Sequence, residues 1–166
     1  MLMKIALSLL ALLAVLAVGL LVAGQMGMLQ GKVPTDLGVN NGRLKALPDT
    51  PNCVSSQAGL SVGHPMLQNA MIAPLPLGPD PAATMAQLRQ VVSALPGAAV
   101  VEQRGDYLYA RFTSRWLGFV DDAEFWVDPA AQVIQVRSAS RVGRKDFGVN
   151  RARVELIRER LASAKV

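Results

Sequence analysis

Hydrophobic positions divide the chain into an apolar front segment and a patterned remainder. From Ile5 to Gly24 no residue is charged, and Lys4 lies immediately before them. At about 1.5 Å of rise per residue, a helix of this length crosses the roughly 30 Å hydrocarbon core of a bilayer. A signal peptide usually has a shorter apolar region, although residues 22–24 form a tolerable small-residue cleavage site. We therefore predict that residues 1–24 are a transmembrane anchor, with a signal peptide as the alternative.

The segment after the apolar stretch has the composition of a linker. Glycines recur between Gln25 and Leu47, together with an Asn-Asn pair, and apolar periodicity is weak. We predict a flexible linker over residues 25–46 that lies over the surface. The remaining residues, 47–166, are predicted to form a single domain of modest size.

Two segments of the domain have the apolar spacing of helices. The first follows Asp80, a suitable cap, and Pro81, which suits the first helical position. The second follows Asn150, which we predict to be its N-cap because valines flank it at the spacing of a hydrophobic staple. The apolar residues expected on the buried sides are Met85, Leu88, Val92 and Leu95 in the first helix, and Val154, Ile157 and Leu161 in the second.

Between the two helices, apolar and polar residues alternate with a period of two, which predicts strands. These strands cover residues 98–103, 107–114, 119–127 and 132–141. Because their connections are short, neighbouring strands should be antiparallel, with one face against the helices. The predicted fold class is α+β: an antiparallel four-stranded meander packed against two helices, preceded by one N-terminal transmembrane or signal helix.

The other face of the predicted sheet is polar and aromatic. It carries Tyr107, Tyr109, Arg111, Asp122, Glu124, Trp126, Gln135 and Arg137. Opposite charges on neighbouring strands are the usual pairs of a solvated sheet, so we expect this face to be in water. A binding surface with aromatic walls is the alternative.

Polar residues occupy apolar positions at the end of the sheet nearest the last helix. Asp121 falls in the apolar phase of its strand, and we expect it to form an ion pair with Arg115 or Arg141. Ser138 and Ser140 end the last strand on its apolar side, where their hydroxyl groups need partners.

The stretch Arg137–Val154, which contains Arg144, leads from that strand into the last helix and is the candidate site. Its basic residues contribute to the chain's net charge of +5 and suit an anionic lipid, an acidic partner or a phosphorylated ligand. Arg151 and Arg153 lie in the first helical turn, where their charges oppose the helix dipole, so carboxylates such as Asp121 and Asp146 or an anion should compensate them. Structural bracing by arginines and an anion site at the helix N-terminus both stay open.

Cys53 is the only cysteine, which excludes an intramolecular disulfide. As a nucleophile it would need a base, and His64 is the only histidine; the alternative is a small buried packing residue. One cysteine and one histidine fall short of a zinc site, so no metal or other cofactor is predicted. The nucleophile-elbow, phosphate-loop and dinucleotide motifs are absent from the sequence, and nucleic-acid binding would require more basic residues.

Three motifs carry a resemblance to a known family. P-N-C-V-S-S-Q at 51–57, W-L-G-F-V-D-D-A-E-F at 116–125 and R-S-A-S-R-V-G-R-K-D-F-G-V-N-R-A-R-V-E at 137–155 resemble the domain-of-unknown-function 1499 family of bacteria and plastids. The resemblance implies a small α+β domain, often preceded by an export or membrane segment, and supplies no catalytic roles. It also implies that one group of residues acts together as a site: Cys53, Ser55, Asp121, Ser138, Arg141, Gly143, Asp146, Asn150 and Arg151. We add Arg144 to this group.

These observations predict a non-catalytic binding or scaffolding domain whose Arg/Ser loop holds an acidic protein or an anionic lipid. The alternative is a small hydrolase or thiol-dependent enzyme that uses Cys53 or Ser55. The expected location is the bacterial inner membrane, with a single pass through residues 5–24 and the domain in the periplasm. Secretion to the periplasm after signal cleavage is the alternative location.

Overall fold

The computed structural model describes residues 1–163, so residues 164–166 of the predicted domain lie outside the described residues. The helices are α1 (Leu2–Gln25), α2 (Leu67–Ala70), α3 (Pro81–Ser93) and α4 (Val149–Ser163), with a single 3-10 turn at Ala58–Leu60. The strands are β1 (Cys53–Ser55), β2 (Leu75–Pro76), β3 (Ala98–Arg104), β4 (Tyr107–Thr113), β5 (Val120–Asp128) and β6 (Val133–Ser140).

All six strands belong to one sheet with the order β1-β6-β5-β4-β3, and β2 pairs with β6 in addition. Each of these pairs is antiparallel. The α+β class and the meander from β3 to β6 are therefore confirmed, but the prediction of four strands is incomplete. Strands β1 and β2 have three and two residues, which is too short for an alternating pattern to reveal them.

The core lies between one face of the sheet and helices α3 and α4. Helix α3 begins as predicted, because the Asp80 carboxylate accepts a hydrogen bond from the Ala83 amide at 3.0 Å and Pro81 occupies the first turn. The fully buried side chains of this core include Leu88, Leu108, Phe125, Ile134, Val136, Val154 and Ile157.

The start of α4 differs from the prediction, and Asn150 is not its N-cap. Helix α4 begins at Val149, so Asn150 lies inside the helix, where it is fully buried. The Asp146 carboxylate instead accepts hydrogen bonds from the amides of Gly148 at 3.1 Å and Asn150 at 3.0 Å. Phe147 and Gly148 both have positive φ, 54° and 83°, which turns the chain so that Asp146 reaches those amides.

The second face of the sheet is covered, contrary to the expectation that it is solvated. Leu44 is 6% exposed and packs with the rings of Tyr107, Tyr109 and Trp126. The amide of Gly38 also donates a 2.7 Å hydrogen bond to Glu124 on this face. We call residues 32–52 the strap. The aromatic rings give this face an apolar area, which Leu44 covers. The linker interpretation did not include this long-range contact.

Helix α1 is exposed along its length, and Gly24 in its last turn is buried. A Cβ atom at Gly24 would lie 2.6 Å from the carbonyl oxygen of Leu117, so the helix end touches the loop between β4 and β5. Gln25 Nε2 donates to the carbonyl oxygens of Arg115 at 3.0 Å and Trp116 at 2.9 Å. By length and composition α1 could span a membrane, and a signal sequence would have a similar length and apolar composition.

Truncating the core should unfold the domain far more readily than truncating its surface. We expect Phe125→Ala, at a side chain with 0% exposure, to lower the free energy of unfolding by about 3–5 kcal/mol in urea titrations of the full chain in detergent. Phe147→Ala, at a side chain with 94% exposure, is the matched control and should change it by less than about 0.5 kcal/mol. Equal losses in the two variants would contradict this assignment of the core.

Candidate functional site

The sequence-predicted site residues lie on both sides of the sheet. Because successive side chains of β6 point to opposite faces, Ser138 lies on the side of α4, whereas Arg137 lies on the side of the strap. The helix side holds Asp121, Ser138, Asp146 and Asn150, and the strap side holds Cys53, Ser55 and Arg141. The sheet therefore separates them into two groups.

On the helix side, a buried polar cluster joins the sheet to the first turn of α4. Ser138 Oγ donates to Asn150 Oδ1 at 2.5 Å, and Arg153 Nη1 donates to the same oxygen at 2.7 Å. Asn150 Nδ2 donates to Ser140 Oγ at 3.0 Å and to Asp146 Oδ2 at 2.9 Å. Both ends of the buried amide are thus occupied by the protein itself, so the cluster has a structural role.

The ion-pair partner of Asp121 is Arg153, so the expectation of Arg115 or Arg141 is wrong. Arg153 Nη2 donates to Asp121 Oδ2 at 2.6 Å, and its guanidinium lies 4.3 Å from the ring centre of Phe112. This pair compensates a cation that would otherwise oppose the dipole of α4. Arg153 is one of the two first-turn arginines for which the sequence indicated compensation by a carboxylate such as Asp121 or Asp146, and Asp121 is that carboxylate. Its position three residues after Asn150 puts both residues on one helical face.

Arg151 acts as a brace to the chain around α2. Its guanidinium donates to the carbonyl oxygens of Asn69 at 3.0 Å and Met71 at 2.8 Å. Because these carbonyl oxygens occupy donors of Arg151, those donors cannot also bind an anion at the start of α4. The contacts favour the bracing interpretation for this residue.

On the strap side, Arg141 forms a saturated ion pair with Asp122. Its Nε and Nη2 atoms donate to the two carboxylate oxygens at 2.8 and 2.7 Å, and both side chains are nearly inaccessible, with 2% and 3% exposure. The hydroxyl of Tyr109 donates to the same carboxylate at 2.6 Å. Burial raises the pKa of Tyr109 to about 12, so this hydroxyl stays protonated. The charge of Arg141 is fully engaged within the protein.

A second buried pair on this side, Glu124 and Arg137, is not saturated. Glu124 Oε1 accepts hydrogen bonds from the Gly38 amide at 2.7 Å and the Tyr107 hydroxyl at 2.9 Å. Arg137 Nη1 lies 3.7 Å from Glu124 Oε2, beyond hydrogen-bond distance. Among residues 1–163, neither Arg137 Nε nor Glu124 Oε2 has a hydrogen-bond partner. Burial also raises the pKa of Glu124, whereas the Gly38 amide and the charge of Arg137 act to lower it.

A cleft of about 540 Å³ lies between the strap and the sheet. Its charged lining residues are Lys32, Asp36, Lys45, Asp122, Arg137 and Arg141. Two of these form an ion pair at the rim, where Lys45 Nζ lies 2.6 Å from Asp36. Asp36 is paired with Lys45, and Asp122 is paired with Arg141. The lining therefore has an excess of positive charge, from Lys32 and Arg137.

Cys53 and Ser55 do not have the surroundings of nucleophiles. Cys53 is 4% exposed, and burial raises the pKa of its thiol. Ser55 is 3% exposed, and its Oγ accepts a 3.2 Å hydrogen bond from the Gln57 amide. His64 Nδ1 accepts a hydrogen bond from the amide of Met66 at 3.1 Å, within its own loop. These contacts give the thiol-dependent and hydrolase interpretations no support.

The described part of the chain also shows no arrangement of side chains for a metal ion. Within residues 1–163, no group of three His, Cys, Asp or Glu side chains is arranged to hold a metal ion.

Exposed aromatic, apolar and basic side chains gather at the end of the domain next to α1. A cavity of about 410 Å³ lies between the loops before β5 and after β6. Its lining includes Phe119, Val142, Lys145, Phe147 and Val149. Phe147 is 94% exposed, and Trp116 in the neighbouring loop is 66% exposed. Arg144 is exposed in the same turn as Phe147. We call residues 115–119 and 142–149 the basic-aromatic end.

The fold and its buried pairs define a small α+β domain that follows an apolar N-terminal helix. The family model described as a protein of unknown function, DUF1499, matches residues 43–161. The chain therefore belongs to this family, as its three motifs indicated. No curated protein and no solved structure matches the chain.

Removing the buried amide of the polar cluster should destabilise the domain. We expect Asn150→Ala to lower the free energy of unfolding by about 2–3 kcal/mol, because it leaves the hydroxyl of Ser138 and a donor of Arg153 without their shared acceptor. Urea titration of the full chain in detergent measures this change. Asn69→Ala, at an exposed side chain, is the control and should have little effect. A stable Asn150→Ala protein would show that the cluster does not join α4 to the sheet.

The thiol of Cys53 should be unreactive in the folded protein. Its raised pKa means that the reactive thiolate forms only at a higher pH than in a free cysteine, and burial also blocks access. We expect iodoacetamide at pH 8 to alkylate the folded chain much more slowly than the chain in concentrated urea. Comparable rates in the two conditions would restore Cys53 as a candidate nucleophile.

Proposed function

We propose that this protein is a single-pass, membrane-anchored binding domain of the bacterial cell envelope, whose basic-aromatic end binds anionic lipid headgroups. The observation that carries the proposal is the position of this end. The loops that expose aromatic and basic side chains are the loops against which the apolar helix ends, so a bilayer around α1 would meet them.

Two contacts support this position. Gly24 at the end of α1 packs against Leu117, next to Trp116. Further along the chain, a Cβ atom at Gly31 would lie 2.6 Å from the side chain of Val142. The chain that leaves α1 therefore contacts both loops of the basic-aromatic end, which keeps this end close to the membrane surface.

The exposed aromatic rings suit a bilayer interface better than bulk water. Tryptophan and other amphipathic rings gather at the headgroup level of membranes, and moving large apolar side chains out of water lowers the free energy. Phe147 also has a φ of 54°, which is unfavourable for a bulky residue. The same turn that lets Asp146 reach the amides at the start of α4 therefore also presents the ring of Phe147 to the outside, where a bilayer surface would contact it.

The charges at this end suit anionic headgroups. Arg115, Arg144 and Lys145 are exposed, and the guanidinium of Arg115 lies 5.2 Å from the ring centre of Trp116. The nearby acid Asp146 accepts hydrogen bonds from backbone amides, and Asp121 is paired with Arg153. Each basic side chain near an anionic surface contributes about 1 kcal/mol of attraction.

The same contacts favour an anchor over a cleaved signal. Cleavage after Gly24 would remove the last turn of α1, which packs against Leu117. With the short N-terminus inside, the domain would lie in the periplasm, where the single cysteine needs no partner. A non-catalytic role is supported by the burial of Cys53 and Ser55 and by their hydrogen bonds to backbone groups.

Lipid contact is testable with the two tryptophans of the full chain in nanodiscs. In a Trp126→Phe background, lipids labelled with a quencher near the headgroup should quench Trp116 strongly. In a Trp116→Phe background, they should leave Trp126, which is 8% exposed under the strap, largely unquenched. Equal quenching of the two tryptophans would contradict the proposed orientation.

The role of charge is testable in the same system. Replacing Arg144 and Lys145 by glutamine should reduce the quenching of Trp116 in phosphatidylglycerol nanodiscs and have little effect in phosphatidylcholine nanodiscs. Arg160→Gln is the matched control, because this exposed arginine lies at the opposite end of α4. Quenching that depends on Arg160 as much as on the pair would reject the basic-aromatic end as the lipid site.

A further inference from the structure

We infer that the cleft between the strap and the sheet binds a small molecule that carries an oxyanion group, phosphate or carboxylate, and that Arg137 is its anchor. This site is separate from the basic-aromatic end. It requires neither lipid nor the proposed membrane orientation.

The first argument is that Arg137 is buried with unsatisfied hydrogen-bond donors, although Glu124 lies at ion-pair distance. The side chain is 4% exposed, yet its Nε has no hydrogen-bond partner among the described residues, and its Nη1 is 3.7 Å from the nearest carboxylate oxygen of Glu124. A buried guanidinium has five donors in a fixed fork, and unmade hydrogen bonds to a charged group are costly. Arg137 also lines the cleft, so a ligand there would lie beside this charge.

The neighbouring pair on the same face shows what a saturated arrangement looks like. Arg141 donates two hydrogen bonds of 2.7–2.8 Å to Asp122, which uses both carboxylate oxygens. Glu124 by contrast places one oxygen toward the Gly38 amide and the Tyr107 hydroxyl and leaves the other without a partner. The same sheet face therefore holds one arginine that is hydrogen-bonded to its carboxylate and one whose Nε donor has no hydrogen-bond partner among the described residues.

The size and charge of the cleft fit such a ligand. Its volume of about 540 Å³ lies within the usual range for small-molecule sites. Lys32 is exposed at the rim, while Asp36 and Asp122 are neutralised by Lys45 and Arg141. The lining consequently attracts anions.

Calorimetric titration of the full chain in a maltoside detergent, which carries no phosphate, tests the site. The probes are inorganic phosphate, glycerol phosphate and succinate, which represent a free anion, a soluble lipid headgroup and a carboxylate. We expect saturable binding of at least one of them, with about one site per chain. If none of the three binds saturably, the inference is overturned.

Three variants assign that binding to the cleft. Arg137→Gln should weaken it about tenfold or more, since hydrogen bonds to charged groups contribute roughly 1.5–3 kcal/mol. Lys32→Gln should weaken it about two- to fivefold, as expected for an exposed charge. Arg160→Gln, far from the cleft, should leave it unchanged. Because Arg137→Gln removes a buried charge and could unfold the chain, the exposed Lys32 variant decides in that case. Binding that is unaffected by Lys32→Gln and by a folded Arg137→Gln would reject the cleft.

Discussion

The structure depends on the partners that three shielded carboxylates of strand β5 require. Asp121, Asp122 and Glu124 follow one another closely on β5, and all three are shielded from water by other parts of the chain. A carboxylate that is buried without a partner costs several kcal/mol, so each position requires a cation or strong donors nearby. The arginines that meet this requirement, and the donors of the strap, determine how the helix and the strap close on the sheet.

Because neighbouring strand residues face opposite sides, the carboxylates tie different layers to the sheet. Asp121 binds Arg153 and fixes the first turn of α4, and Glu124 accepts the amide of Gly38 and fixes the strap. The sheet thus becomes the middle layer between the helices and the strap. Its polar second face can be covered because tyrosine hydroxyls and two arginines accompany the acids there.

The parts of the fold that were predictable from sequence are those with local patterns. The cap at Asp80 and the alternation in β4 and β5 need only nearby residues, so they are legible in the chain itself. The covering by Leu44 depends on rings more than sixty positions away, and a two-residue strand such as β2 has no pattern. Local reasoning showed that Asp121 needs a cation. It could not choose among several arginines, because that choice depends on the rotation of α4.

The same limit explains why the candidate site divides after folding. The stretch Arg137–Val154 reads as one basic motif, yet its arginines have different tasks: Arg141 neutralises Asp122, Arg151 braces α2 and Arg144 stays exposed. Only a residue whose hydrogen-bond donors the protein has not already used is free to recognise something else. By this criterion Arg144 is the residue of the basic turn that we propose for the lipid surface, and Arg137 is the residue of the sheet that we propose for the cleft. A motif that is contiguous in the sequence and a binding site are therefore different sets of residues in this domain, and the pairing of charges separates them.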